Sequence, residues 1–171
     1  PLKQNEQLMK NMLKLLVPAL LLIGHLQTMF AQCITPAENC YELVCVFSKT
    51  ELEAAPWSSA GFTADPQPVG GYCSQIQNDQ WFAFAAADDT VRLTVTPSNC
   101  ANGDGIQVAV YSSCDGPPIG CNPGCAGCGN VPTTMTFAAK PGSIYYLLID
   151  GLAGDECDFT ISAMGVSDNP P

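Results

Sequence analysis

Ten cysteines constrain this chain of 171 residues more than any other feature, because all of them lie beyond position 32: Cys33, Cys40, Cys45, Cys73, Cys100, Cys114, Cys121, Cys125, Cys128 and Cys157. An even set of sulfurs behind an export-type leader implies a disulfide framework of up to five bridges. Each bridge would stabilise the fold by about 2–4 kcal/mol, chiefly by restricting the unfolded chain. The turn residues between Cys114 and Cys121 make that pair the first expected bridge.

The leader is read from residues 1–31. Met9-Lys10-Asn11-Met12-Leu13-Lys14 supplies a positive start, residues 15–23 (LLVPALLLI) an apolar run, and Ala31 a small residue before the expected cut at Gln32. The run falls short of the ~20 apolar residues a spanning helix needs, and it contains Pro18. A cleaved signal peptide is therefore expected, with residues 1–8 as upstream sequence and no membrane insertion after cleavage. Beyond it we expect a cysteine-containing segment of edge strand and loops at 32–72, a β-core at 73–165, and the start of a linker to further domains at 166–171.

Charge narrows the chemistry. Residues 32–171 hold 3 basic and 15 acidic side chains, a net charge of −12, and no histidine. No Ser-His-Asp or Cys-His nucleophile system and no histidine-ligated zinc site can be assembled from that set. Three cations cannot neutralise a phosphate backbone, so nucleic acid is excluded as a partner, and anionic membrane surfaces are disfavoured for the same reason. Secretion or display at the cell surface is the expected destination.

From Trp81 onward the apolar pattern has a period of two. Residues 91–96 (VRLTVT) alternate without a fault, and 80–85 (QWFAFA), 106–111 (IQVAVY), 133–138 (TTMTFA) and 158–163 (DFTISA) also read as strands. The run at 144–149 (IYYLLI) is apolar on both faces and should be a central strand covered on each side. Turn signals separate these segments: Asp88-Asp89, Asn102-Gly103-Asp104-Gly105, Pro141-Gly142 and Asp150-Gly151. Residues 40–47 (CYELVCVF) could pair as an edge strand, and 49–55 (KTELEAA) is the one short helical candidate. The stretch 112–132 has 13 Gly, Pro or Cys in 21 positions and should be a cross-linked loop. The expected fold is all-β: an antiparallel β-sandwich, jelly-roll-like and braced by disulfides.

The runs Asn78-Asp79-Gln80-Trp81-Phe82-Ala83-Phe84, 91–96, 105–111 and 141–151, followed by Asp158-Phe159-Thr160-Ile161, resemble a recurring extracellular module. Their order is similar to that of the bacterial pre-peptidase C-terminal domain, a jelly-roll sandwich appended to secreted enzymes. The cysteine-rich form resembles modules near the N-terminus of large surface proteins of Bacteroidetes-type bacteria. The resemblance covers residues 79–163 and implies a non-catalytic accessory role in adhesion, substrate targeting or spacing, with a surface glycan or protein as partner.

Candidate sites fall into four groups. Cys121-x3-Cys125-x2-Cys128 has spacing that could wrap an iron–sulfur cluster, and Cys114, Cys121, Cys125 and Cys128 could ligate tetrahedral zinc; export favours disulfides over both. Asp150, Asp155, Glu156 and Asp158 flank a Gly-containing turn, with Asp104 in another Gly-rich turn, and calcium at a loop-rim site using Asp150, Asp155 or Asp158 is the only cofactor expected. Trp57 could stack on a sugar ring, the competing expectation being a lid on the core. Together these make a calcium-assisted carbohydrate-binding module the alternative function. A small secreted hydrolase is the second alternative, with a carboxylate pair drawn from Asp88, Asp89, Asp155 and Glu156.

Overall fold

The computed structural model describes residues 33, 35–54, 56–64 and 70–171, and the expected leader lies outside them. Eight strands follow one another: β1 (Trp57–Ser58), β2 (Gln80–Ala85), β3 (Thr90–Ser98), β4 (Ile106–Tyr111), β5 (Pro118–Asn122), β6 (Thr133–Ala138), β7 (Ile144–Gly151) and β8 (Asp158–Met164). They form two antiparallel sheets with the orders β1-β8-β3-β6 and β2-β7-β4-β5. Within that arrangement β1 pairs with β8, β2 with β7, β3 with β6 and β4 with β5, as if one long hairpin had been rolled up. The additional pairings β3·β8 and β4·β7 close each sheet across the roll.

Side-chain alternation explains the first sheet. Val91, Leu93 and Val95 of β3, Met135 and Phe137 of β6, and Phe159, Ile161 and Ala163 of β8 point to a shared core. Their neighbours Arg92, Thr134, Thr136, Thr160 and Ser162 are exposed, and the Thr94 and Thr134 hydroxyls meet across the β3–β6 pair at 3.0 Å. The second sheet contributes Phe82, Phe84, Val108, Val110, Leu147 and Ile149 to that same core. Its opposite face is also covered: Trp81, Ala109, Tyr111 and Leu148 pack beneath Cys40, Leu43, Tyr72 and Ile76. This second cluster is why β2 and β4 are buried along their whole length and β7 along most of it.

The segment before β2 therefore forms a cover. Residues 40–47 are not an edge strand: Asn39 caps a single 3₁₀ turn at Cys40–Glu42, and pairing is reduced to isolated bridges from Ala37 to Trp81 and from Phe47 to Phe84. These contacts, with the Ser167 N–H donating to the Ala85 carbonyl, occupy the free edge of β2. The helical candidate forms α1 (Lys49–Glu53), opened by a capping box between Ser48 and Glu51. Glu53 accepts the Ala163 N–H at 2.7 Å, closing a donor that β8 would otherwise leave open. Ser48→Ala should cost about 1 kcal/mol by leaving the Glu51 N–H uncapped, read as a lower urea midpoint with unchanged slope.

All ten cysteines are paired: Cys33–Cys45, Cys40–Cys114, Cys73–Cys121, Cys100–Cys157 and Cys125–Cys128. The expected Cys114–Cys121 bridge does not form. Cys121 lies on β5 and ties that strand to Cys73, whereas Cys114 lies in the loop before it and reaches back 74 positions to Cys40. Both bridges clamp the N-terminal cover over the outer face of the second sheet.

Candidate functional site

Register places several loops at one end of the two sheets. Ile106 of β4 faces Gly151 of β7, Ser98 of β3 faces Asp158 of β8, and Asn122 of β5 faces Val108 of β4. The connections 99–105, 123–132 and 152–157 therefore form a common rim, with residues 77–79 entering it ahead of β2.

Two buried carboxylates organise this rim. Asp155 is fully buried, and its oxygens accept the N–H groups of Asn102 at 2.7 Å, Asp104 at 2.7 Å and Gly105 at 2.9 Å. Burial pushes its pKa up, but the N–H donors of Asn102, Gly105, Asp104 and Glu156 outweigh that and hold it below the ordinary carboxylate value. Asp150, also fully buried, accepts the N–H groups of Gln77 at 3.0 Å and Asn78 at 2.7 Å and the side-chain amide of Gln107. There burial prevails over the donors, and the Asp150 pKa is raised.

Asn78 links the two carboxylate sites. Its amide nitrogen donates to the Asp155 carbonyl, and its amide oxygen accepts the Gly151 N–H, both at 2.9 Å. The turn is so close that a Cβ at Gly151 would meet the Asp155 carbonyl oxygen at 1.7 Å. Only glycine fits there. The sequence pattern marks Asp150-Gly151 as a turn but carries no sign of Asn78's role, since its partners lie 73 and 77 positions away.

Beside this pinned turn lies a cleft of about 190 Å³, bordered by Asp104, Asn122, Cys125, Cys128, Val131 and Thr133. Asp104 joins the two loops around it, its carboxylate accepting the Gly127 N–H at 3.2 Å. Cys125 is exposed and Cys128 half-buried. The turn between them is closed by the Cys128 N–H donating to the Cys125 carbonyl at 3.0 Å.

Metal chemistry is poorly served by these donors. The cysteines considered for an iron–sulfur cluster or zinc are all in disulfides, which carry no thiolate. One further grouping, Cys100, Asp155 and Cys157, gathers its ligand atoms within 4.8 Å, but its two sulfurs are bonded to each other. Asp150 and Asp155 direct their lone pairs at N–H donors, a surrounding suited to a carboxylate and unlike the oxygen shell that calcium takes. Asp158 is half-buried and accepts the Asn99 amide at 3.0 Å.

The other expected site residues are dispersed. Asp88 and Asp89 sit exposed in the β2–β3 turn, at the end of the sheets opposite Asp155 and the exposed Glu156. Trp57 is half-buried, edge-on to Phe47 and Phe82 at ring distances of 5.8 and 5.2 Å, and its indole N–H donates to the Leu52 carbonyl at 2.9 Å. Compared with known proteins, the chain matches no family model and no curated protein. No helix among the described residues is long and apolar enough to cross a membrane.

Proposed function

We propose that this chain is a non-catalytic extracellular module of a larger secreted or cell-surface protein: a disulfide-braced jelly-roll sandwich whose rim of loops makes contact with a surface glycan or protein. The observation that carries the reading is the use to which the rim's chemistry is put. Asp150 and Asp155 hold backbone N–H groups, and the rim's cysteines are all bonded, so these groups are spent on fixing loops in place. The pairings β1·β8, β2·β7, β3·β6 and β4·β5 support a jelly roll. Five disulfides suit an oxidising compartment.

A rim built this way is a rigid display surface. Loops that are pre-ordered lose little conformational freedom when a partner binds, which favours contact by residues at their tips. Calcium-assisted carbohydrate binding has less support, because Asp150 and Asp155 already have their partners. The hydrolase reading has less again, since Asp88 and Asp89 lie at the far end of the sheets from Asp155 and Glu156.

The test is to screen the purified protein on glycan and surface-protein arrays, with and without chelator, beside turnover assays on glycoside and peptide libraries. Binding that survives chelation and is weakened by substitutions at exposed rim positions such as Asn130 or Val131 is the expected result. Hydrolysis abolished by Asp155→Asn or Glu156→Gln would replace the binding role with an enzymatic one.

A further inference from the structure

The Cys125–Cys128 bridge differs from the other four in where its sulfurs lie. Cys33, Cys45, Cys100 and Cys157 pack with the shared core, and Cys40, Cys114 and Cys121 pack with the second apolar cluster. Each of those four bridges thus has at least one sulfur among apolar side chains. Neither Cys125 nor Cys128 belongs to either cluster, and both border the rim cleft. The bridge spans only 3 positions, against 12, 48, 57 and 74 for the others, so it restrains the unfolded chain least. It is a weak brace in an open place.

Its loop also keeps its shape by other means. The Cys128 N–H bonds the Cys125 carbonyl, the Val131 N–H bonds the Cys128 carbonyl at 3.2 Å, and Asp104 holds the Gly127 N–H. Opening the sulfur–sulfur bond leaves these contacts standing and the two sulfurs adjacent.

We propose that Cys125–Cys128 is a thiol–disulfide exchange site that reacts with small thiols while the rest of the molecule stays folded. The thiolate of the small thiol attacks the exposed Cys125 sulfur. The bond to Cys128 breaks, its electron pair leaves on the Cys128 sulfur, and that thiolate takes a proton from water. A second small thiolate attacks the external sulfur of the mixed disulfide and releases the Cys125 thiolate, which also takes a proton from water. Two small thiols are oxidised to one disulfide, and the protein gains two electrons and two protons. Access and attack geometry govern such exchange. The Asp104 carboxylate at the cleft, in a chain segment of net charge −12, disfavours an anionic thiol and favours a cationic aminothiol.

The experiment treats the purified native protein with cysteamine or reduced glutathione, traps free thiols by alkylation at intervals, and maps them by mass spectrometry beside near-ultraviolet circular dichroism. Cys125 and Cys128 should be alkylated together, at least ~10-fold faster than any other pair, with the dichroism unchanged. Cysteamine should outpace glutathione several-fold at low ionic strength, and the gap should narrow in ~0.5 M salt or in Asp104→Asn. A Cys125→Ser/Cys128→Ser variant should retain the native spectrum and lose the fast phase. The proposal is overturned if Cys73–Cys121 or another pair opens first, if all pairs open together with loss of the native signal, or if a fast phase persists in the double variant. Equal rates for the two thiols at low salt would overturn the preference for a cationic one.

Discussion

Replacing Cys40 and Cys114 together by serine should lower the melting temperature by roughly 15 °C, the largest effect of any bridge removal. The chain-entropy relation gives about 4.4 kcal/mol for a cross-link spanning the 74 positions between them, against about 1.6 kcal/mol for the 3 positions of Cys125–Cys128. The two sulfurs also lie in the cluster that covers Trp81, Tyr111 and Leu148. Without the bridge, the cover would be held to the second sheet by the Ala37 and Phe47 bridges and by Cys73–Cys121, since Cys33–Cys45 is internal to it. Calorimetry of this variant beside Cys125→Ser/Cys128→Ser checks the ranking: the first should fall far more than the second. Equal losses would mean that loop length does not govern what these bridges contribute.

Asp155→Ala should be comparably severe, at about 3–5 kcal/mol, and should loosen the whole rim. The substitution removes the acceptor of three N–H groups, that of Gly105 buried and those of Asn102 and Asp104 nearer the surface, and a buried unpaired donor costs about 1–3 kcal/mol. Asp155→Asn retains an acceptor oxygen and should lose about half as much. The acid behaviour follows from the lowered pKa. Its contribution to stability is present above the unfolded aspartate value of about 3.9 and fades as pH falls through the lower folded value. Asp150, whose pKa is raised, acts in the opposite sense: its contribution is full below the unfolded value and is lost as pH rises through the folded one. Denaturant midpoints between about pH 2 and 6 should therefore show a shallower acid loss in Asp155→Asn than in the parent. An unchanged acid slope would place the pH dependence elsewhere.

The strands were legible wherever a side chain's environment is set by its own alternation. Val91, Leu93 and Val95 announce β3, and the doubly apolar run of β7 announces a strand between two neighbours with cover on each side. Two strands were not legible. β1 is only Trp57–Ser58 and exists through its pairing with Phe159 and Asp158. β5 runs through Pro118, Gly120 and Cys121, residues that read as turn, and is held as an edge by β4 and the bridge to Cys73. At 40–47 the apolar residues suggested a strand, but Asn39 caps a turn there instead.

The rim was legible in its parts and not in its working. Asp150, Asp155 and Asp104 stand out as acidic residues in glycine-bearing turns, which suits a cation site and a loop anchor equally well in sequence. What separates the two is which atoms face the carboxylates. For Asp155 those are N–H groups 50 to 53 positions away, a proximity only the folded register creates. The disulfide pairing was hidden for the same reason, since Cys114 and Cys121 are close in sequence while their partners come from the cover.

Peptide mapping without reductant, on material purified from an oxidising compartment and blocked with an alkylating agent before digestion, tests the braced framework most directly. No cysteine should be blocked, and linked peptides should join Cys40 to Cys114, Cys73 to Cys121 and Cys100 to Cys157. Recovery of these six residues as free thiols, or joined in other combinations, would contradict that framework.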